Sequence, residues 1–253
     1  MNLGIAGKVA VVTASSSGLG KAIAQALAAE GVKLALFARS SEPLRTTATE
    51  IEKQYGVPVL PVAGDMRSPA DVDRLVTALQ QKFEGADILV LNTGRPPVPM
   101  HEVLDETDDG RWEEAYRTQL WGALLVARRI VPLLLDRGWG RVIAITSASV
   151  KQPMPQHGLS TVFRAGVTAY MKHLANEIAA KGVTVNSVCP ASIGTASLTG
   201  SYDASERIKR VPVGRLGRPE ELAATVAFLA SDSAGFITGA SLHVDGGMVA
   251  SLY

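Results

Sequence analysis

The stretch that most limits what this chain can become is "KVAVVTASSSGLGKAIAQALAAEG", residues 8–31. Its first six residues are almost unbroken in apolar character, as expected for a strand covered on both faces rather than one half open to water. The run from Lys21 to Glu30 repeats its apolar residues with helical spacing, and Gly31 supplies a stop. Between them lie Ala14, Ser15, Ser16, Ser17, Gly18, Leu19 and Gly20, a turn too short for anything but a direct strand-to-helix connection. A strand needing cover on both faces, followed at once by a helix, commits the chain to a parallel sheet. The same turn has a chemistry of its own. Glycines let the backbone approach a pyrophosphate, the helix N-terminus offers free N–H groups, and serine hydroxyls add further donors. An ordinary turn with a helix cap is the alternative reading.

Further strand candidates follow at 32–38 (VKLALFA), 57–64 (VPVLPVAG), 86–92 (ADILVLN), 140–147 (GRVIAITS) and 182–190 (GVTVNSVCP). A stretch able to form a helix separates each of these from the next, and 239–247 (GASLHVDGG) adds a last strand. The alternation predicts an α/β fold, a doubly wound and mostly parallel sheet with helices on both faces. No repeat or low-complexity segment divides the chain, so 1–253 reads as one dinucleotide-binding domain, with a substrate lid near 196–214. Apolar residues make up 47%, charged residues 19%, and the net charge is +1, which argues against a disordered chain or a nucleic-acid binder. The expected partners are small molecules and further copies of the chain. Neither a leader pattern nor a membrane-spanning apolar run is evident, so the expected location is the cytoplasm. Cys189 is the sole cysteine, and its neighbours place it at a buried strand end.

Ligands of such sheets sit beyond the carboxyl ends of the strands. Arg39 follows the second strand, where an acid would bind a ribose 2′-hydroxyl and a base would tolerate a 2′-phosphate. NADP(H) is thus favoured, and nearby Glu42 keeps NAD(H) open. Asp65, in "GDMRSP", either caps the following helix or accepts from an adenine amino group.

Five segments, "TASSSGLG" (13–20), "DILVLNTG" (87–94), "GRVIAITS" (140–147), "GVTVNSVCPASIGT" (182–195) and "GFITGASLHVDGG" (235–247), together resemble the short-chain dehydrogenase/reductase family. The nearest likeness is to its β-ketoacyl-acyl-carrier-protein reductase branch. The resemblance implies a seven-stranded Rossmann-type sheet, a nicotinamide cofactor, a carbonyl or acyl thioester substrate, and a homotetramer. It further implies that Thr13, Ser15, Ser16, Ser17, Gly18, Leu19 and Gly20 wrap the pyrophosphate, and that Asp65 and Met66 meet the adenine. Asn92, Thr93 and Gly94 would lie on the adenosine side, and Ile193 to Thr195 at the nicotinamide carboxamide. Three departures stand out: Ala14 replaces the first glycine of the turn, Leu91-Asn92-Thr93-Gly94 replaces Asn-Asn-Ala-Gly, and Pro190-Ala191 replaces Pro-Gly.

The resemblance also implies a catalytic group of Ser, Tyr, Lys and Asn. Ser147 matches the serine. The family spacing places the tyrosine at Ser160, the lysine at Arg164 and the asparagine at Gln119, so only the serine is the family's own residue. An aliphatic hydroxyl is a far weaker proton donor than a phenol of pKa about 10. A guanidinium stays protonated, so Arg164 can hold ribose hydroxyls and present charge but cannot relay a proton. Tyr170, about 15 Å further along the helix, is no substitute. His157 precedes Ser160 by one turn and could act directly or through Ser160, although a helix N-terminus lowers its proton affinity. An exposed or capping histidine is the alternative. Lys151 reaches the site only if its loop folds inward. Arg95 stands in a proline-stiffened loop that would either present it to an anion or simply be rigid surface, and Trp121 and Tyr170 read as packing residues.

Three functions compete on this reading. The leading one is an NADP-dependent oxidoreductase with a non-standard proton path. A non-catalytic nucleotide-binding homologue, serving as a sensor or assembly subunit, comes next, and a structural homologue that binds neither cofactor is third.

Overall fold

Alternating segments become alternating elements in the computed structural model, which describes residues 2–195 and 204–252. In chain order they are β1 (Val9–Thr13), α1 (Gly18–Ala29), β2 (Lys33–Ala38), α2 (Ser41–Tyr55), β3 (Val59–Ala63), α3 (Pro69–Phe83), β4 (Ile88–Leu91) and α4 (Asp109–Leu135). Then follow β5 (Gly140–Ile145), α5 (Gly158–Ile178), β6 (Val183–Pro190), α6 (Ala204–Ile208), α7 (Pro219–Ala230) and β7 (Ser241–Val244). The seven strands form one parallel sheet in the order β3-β2-β1-β4-β5-β6-β7. Most strands are a residue or two shorter than the apolar runs that announced them, because the flanking glycines, prolines and polar residues leave the ladder. Pro61 is tolerated inside β3 because that strand is at the sheet edge.

Period-2 geometry sends successive side chains of β1 to opposite cores. Ala10 and Val12 pack with Ile23 and Leu27 of α1, Leu44 and Ile51 of α2 and Val226 of α7. Val9 and Val11 pack instead with Leu75 and Leu79 of α3, Val126 and Ile130 of α4, and Met171 and Leu174 of α5. Helix ends follow local chemistry: Gly31 adopts φ +78 just past α1, and the Ser68 side chain accepts from the Asp71 N–H at 3.3 Å to start α3. The capping role open to Asp65 thus falls to Ser68. By length and composition α4 is apolar enough to cross a membrane, but half of its most apolar window is buried against the rest of the protein. Its Tyr116–Trp121 segment is a π-helical turn between two α-helical pieces.

The strand order reverses at β1, where β2 leaves to one side and β4 to the other, which opens a crevice at their carboxyl ends. Regular pairing of β1 with β4 ends at Val12 and Val90. Beyond it a side chain continues the ladder: Thr13 Oγ1 accepts from the Asn92 N–H at 2.9 Å and donates to the Asn92 carbonyl at 2.7 Å. The Asn92 amide donates in turn to the Ala14 carbonyl at 3.3 Å. A Thr13→Val substitution keeps shape but strands two backbone groups, and should cost about 2–4 kcal/mol in urea unfolding. An unchanged unfolding midpoint would show that the Thr13 hydroxyl does not hold the crevice.

Candidate functional site

The turn after β1 is built around one close approach. A Cβ on Gly20 would lie 2.2 Å from the Ala14 carbonyl oxygen, so only glycine lets α1 begin directly against the turn. Ala14 itself takes φ +48, a left-handed conformation more natural to glycine, and accommodates its methyl there. Ser17 precedes the first turn of α1 without making a side-chain cap, and the Ser15 hydroxyl is buried with no hydrogen-bond partner. Beside this turn runs a cleft lined by Ser16, Ser17, Ala38, Arg39, Asp65, Met66, Arg67, Gly94 and Thr118. Asp65 is chelated there by Arg67, whose Nε and Nη2 both donate to Asp65 Oδ2, at 2.9 and 2.6 Å. Burial raises the Asp65 pKa, but the Arg67 hydrogen bonds and the charges of Arg67 and Arg39 outweigh it and hold the carboxyl below its usual range. The uncapped helix terminus, with Ser16 and Ser17 on the cleft wall, and the exposed Arg39 at the rim suit a dinucleotide with its phosphates at α1 and an extra phosphate at Arg39.

A second cavity opens between the loop after β5, the start of α5 and the loop after β6. Ser147, His157, Ser160 and Arg164 line it, with Arg95, Arg207 and Ala191. Ser147 Oγ accepts from the Ser149 N–H at 3.2 Å and from the Ser149 hydroxyl at 2.9 Å, so its own proton is left to donate into the cavity. Ser160 is buried on the first turn of α5. Four residues on, Arg164 sends Nη1 to the carbonyls of Ile145 and Thr146, at 2.9 and 3.0 Å, and Nη2 to the Gly94 carbonyl at 3.3 Å. No carboxylate pairs with it among the described residues. Burial pulls its pKa down to about 10, opposed only by the Cys189 thiol, and it remains charged at neutral pH. Since Gly94 also lines the first cleft, Arg164 stands where the two cavities adjoin. His157 is half-buried at the N-cap of α5, its ring making no cap; Nδ1 lies 2.8 Å from the Pro155 carbonyl oxygen.

Several sequence expectations are redirected by this geometry. His157 is neither an exposed nor a capping residue, and its pKa falls chiefly through burial. Gln119 lines neither cavity: it is wholly buried in the π-helical turn, both amide atoms lacking a partner, while its neighbour Thr118 reaches the cleft. Ile193 turns into the core, bridging to Gly217, whereas Thr195 approaches Gly18 across the Gly-rich turn. Asn92 is spent on the β1–β4 junction, the Thr93 hydroxyl is buried without a partner, and Leu19 packs on the core. Lys151 lies on a separate groove with Lys172, so its loop does not fold inward. Tyr170 packs against the core, and burial raises its phenol pKa. Of the expected lid, 196–203 lie outside the described residues, and Arg207 of α6 reaches the second cavity. Sequence reasoning missed Arg67 and Arg207; the acid–base spacing of Asp65 and Arg67 in one turn was the available signal for the former.

Comparison with known proteins gives a uniform picture. The family described as "Enoyl-(Acyl carrier protein) reductase" matches residues 13–249. A 3-oxoacyl-[acyl-carrier-protein] reductase of Synechocystis sp. is 36% identical over 96% of this chain and 97% of its own. Its counterpart from Aquifex aeolicus is 34% identical over 98% and 100%. Among solved structures, L-sorbose reductase from Gluconobacter frateurii, complexed with NADPH and L-sorbose, superposes with TM-score 0.93 at 35% identity, covering 100% of both chains. Actinorhodin polyketide ketoreductase with NADPH reaches TM-score 0.90 at 32% identity, covering 96% and 98%.

The strained turn yields a stability test. Relief of the left-handed alanine outweighs the added chain entropy of glycine, so Ala14→Gly should stabilise the protein by about 0.5–1 kcal/mol. Gly20→Ala should do the reverse, because its methyl meets backbone. Thermal unfolding of both variants reads the effect, and a lowered Tm for Ala14→Gly would show that the turn is not strained.

Proposed function

Because the chain belongs to the short-chain dehydrogenase/reductase family, we propose that it is an NADP(H)-dependent oxidoreductase of the 3-oxoacyl-[acyl-carrier-protein] reductase-like type, interconverting a carbonyl and its alcohol. The observation that carries the proposal is the junction at Arg164, where a half-buried cation adjoins both the cleft beside the α1 terminus and the cavity lined by the Ser147 hydroxyl. A reduced nicotinamide, when bound, supplies a hydride to the carbonyl carbon. The α1 terminus with Ser16 and Ser17 would hold the pyrophosphate, Arg39 the 2′-phosphate, and Met66 with the Asp65–Arg67 pair the adenine. Ser147 donates to the substrate oxygen, and the fixed charge of Arg164 favours the negative charge that develops there. Ser160 and the buried Gln119 shape the wall and its support rather than donate a proton.

No phenol or primary amine lines the second cavity among the described residues, which supports a proton path of a different kind as part of this proposal. That same absence favours a second reading, a nucleotide-binding homologue without turnover. A small carbonyl compound or acyl thioester is the proposed substrate and the cytoplasm the proposed location. A homotetramer is proposed as well; Phe236, wholly exposed, and Leu242 on β7 are apolar surface that such an assembly could cover.

Titration with NADPH and NADH, followed by a carbonyl substrate panel, separates the readings. Wild type should bind NADPH more tightly than NADH, and Arg39→Asp should weaken NADPH about 10–100-fold, the worth of a charge-assisted phosphate contact. Binding without turnover supports the second reading, and saturable binding of neither nucleotide overturns both.

A further inference from the structure

We infer that His157 is the acid–base residue of this site, exchanging a proton between its Nε2 and the substrate oxygen. The inference rests on the oxidoreductase reading above. Among the described residues, the ionisable side chains lining the second cavity are three guanidiniums, Arg95, Arg164 and Arg207, and this one imidazole. The remaining proton-bearing side chains on the wall include the aliphatic hydroxyls of Ser147 and Ser160. Guanidiniums do not release a proton near neutrality, and aliphatic hydroxyls ionise far above it. Imidazole is therefore the group on this wall whose proton moves in the working pH range.

Geometry fixes which nitrogen does the work. A carbonyl oxygen only accepts, so the 2.8 Å contact to Pro155 requires Nδ1 to carry a proton, and the neutral ring is left with a lone pair on Nε2. Ser160 lies three residues further along α5, on the same face, so its hydroxyl and the ring address one region of the cavity. Ser147 presents its proton to the same space. In the reducing direction a reduced nicotinamide, when bound, would supply hydride, hydrogen with its bonding pair, to the carbonyl carbon, and the carbonyl π pair would pass to oxygen. The Nε2–H bond then breaks as the O–H bond forms, and the neutral ring regains its proton from solvent. In the oxidising direction the Nε2 lone pair accepts the alcohol proton.

The surroundings set the pH dependence. Burial lowers the imidazole pKa; the Pro155 carbonyl raises it, Arg207 and Arg210 lower it, and Glu102 raises it, for a net fall below the ordinary value. Arg164 and Arg95 add positive charge from α5 and from the loop after β4. The ring is thus mostly neutral at pH 7, ready to accept a proton, and carbonyl reduction should accelerate as pH falls toward the lowered pKa.

The test joins a spectroscopic readout on the full chain without nucleotide to kinetics. Long-range ¹H–¹⁵N NMR of the four histidines, with His157→Gln to assign the signal, should show the Nδ1–H tautomer and a depressed pKa. In the wild type, kcat for carbonyl reduction should carry a limb at that pKa. His157→Gln should lose the limb and about 10²–10⁴ in kcat while NADPH affinity is retained, and added imidazole should restore rate to His157→Ala. An Nε2–H tautomer, or a His157→Gln variant with the wild-type rate and pH profile, overturns the assignment and leaves the oxidoreductase reading standing. Failure of the wild type to bind NADPH or turn over any carbonyl overturns both.

Discussion

The Arg164 guanidinium is the constraint on which the two cavities depend. It gathers the carbonyl ends of β5 and the Gly94 carbonyl beyond β4, joining two neighbouring strands just where their ladder has ended. Partly burying a cation without a carboxylate carries a desolvation cost that carbonyl dipoles offset only in part. The remainder is a standing preference for negative charge nearby. A site in which an alkoxide must develop gains from that preference, because the field is already in place before the reaction begins. The planar guanidinium reaches two carbonyls from Nη1 and a third from Nη2, a spread geometry that an ammonium, donating from a single nitrogen, does not reproduce.

A chain of smaller interactions places this charge. Two-sided burial of β1 fixes the parallel sheet, and reversal of strand order at β1 opens the crevice. Thr13 then holds the crevice by taking over both backbone groups of Asn92, and Gly20 brings the α1 terminus against its floor. Each step follows from a residue type: a hydroxyl that both donates and accepts, and a glycine without a Cβ. The consequence is that the α1 terminus and the Ser147 hydroxyl, the groups proposed to meet phosphate and substrate oxygen, are held at strand ends.

Much of this was legible in the sequence because it depends on local pattern. Apolar runs and glycine stops gave the element order, and the turn after β1 gave the likeness to a dinucleotide cradle. Arg39 and Ser147 stand where their neighbours in sequence implied, since each follows directly from a strand whose end is fixed. What escaped were pairings set by side-chain reach across elements. Asp65 reads as a cap or an adenine acceptor until Arg67 is seen to hold it, and Ser68 takes the cap instead. Gln119 belongs to a π-helical turn, and a one-residue widening of a helix changes which face a side chain occupies. Ile193 faces the core because the Gly217 backbone leaves room for it. The Arg164 contacts could not be read from spacing, because backbone carbonyls have no sequence signature.

The cleft beside the α1 terminus adjoins a cavity whose polar lining, among the described residues, is three arginines, three serines and one histidine. On the proposed function, this wall of arginines, serines and one imidazole supports hydride transfer. Transfer of deuterium from 4-deuterated NADPH to the product carbon, followed by mass spectrometry across a panel of carbonyl compounds and acyl thioesters, tests this most directly. The expected result is one deuterium in the alcohol product of at least one substrate, delivered from a single face of the nicotinamide. Saturable NADPH binding with no deuterium in any product would contradict it.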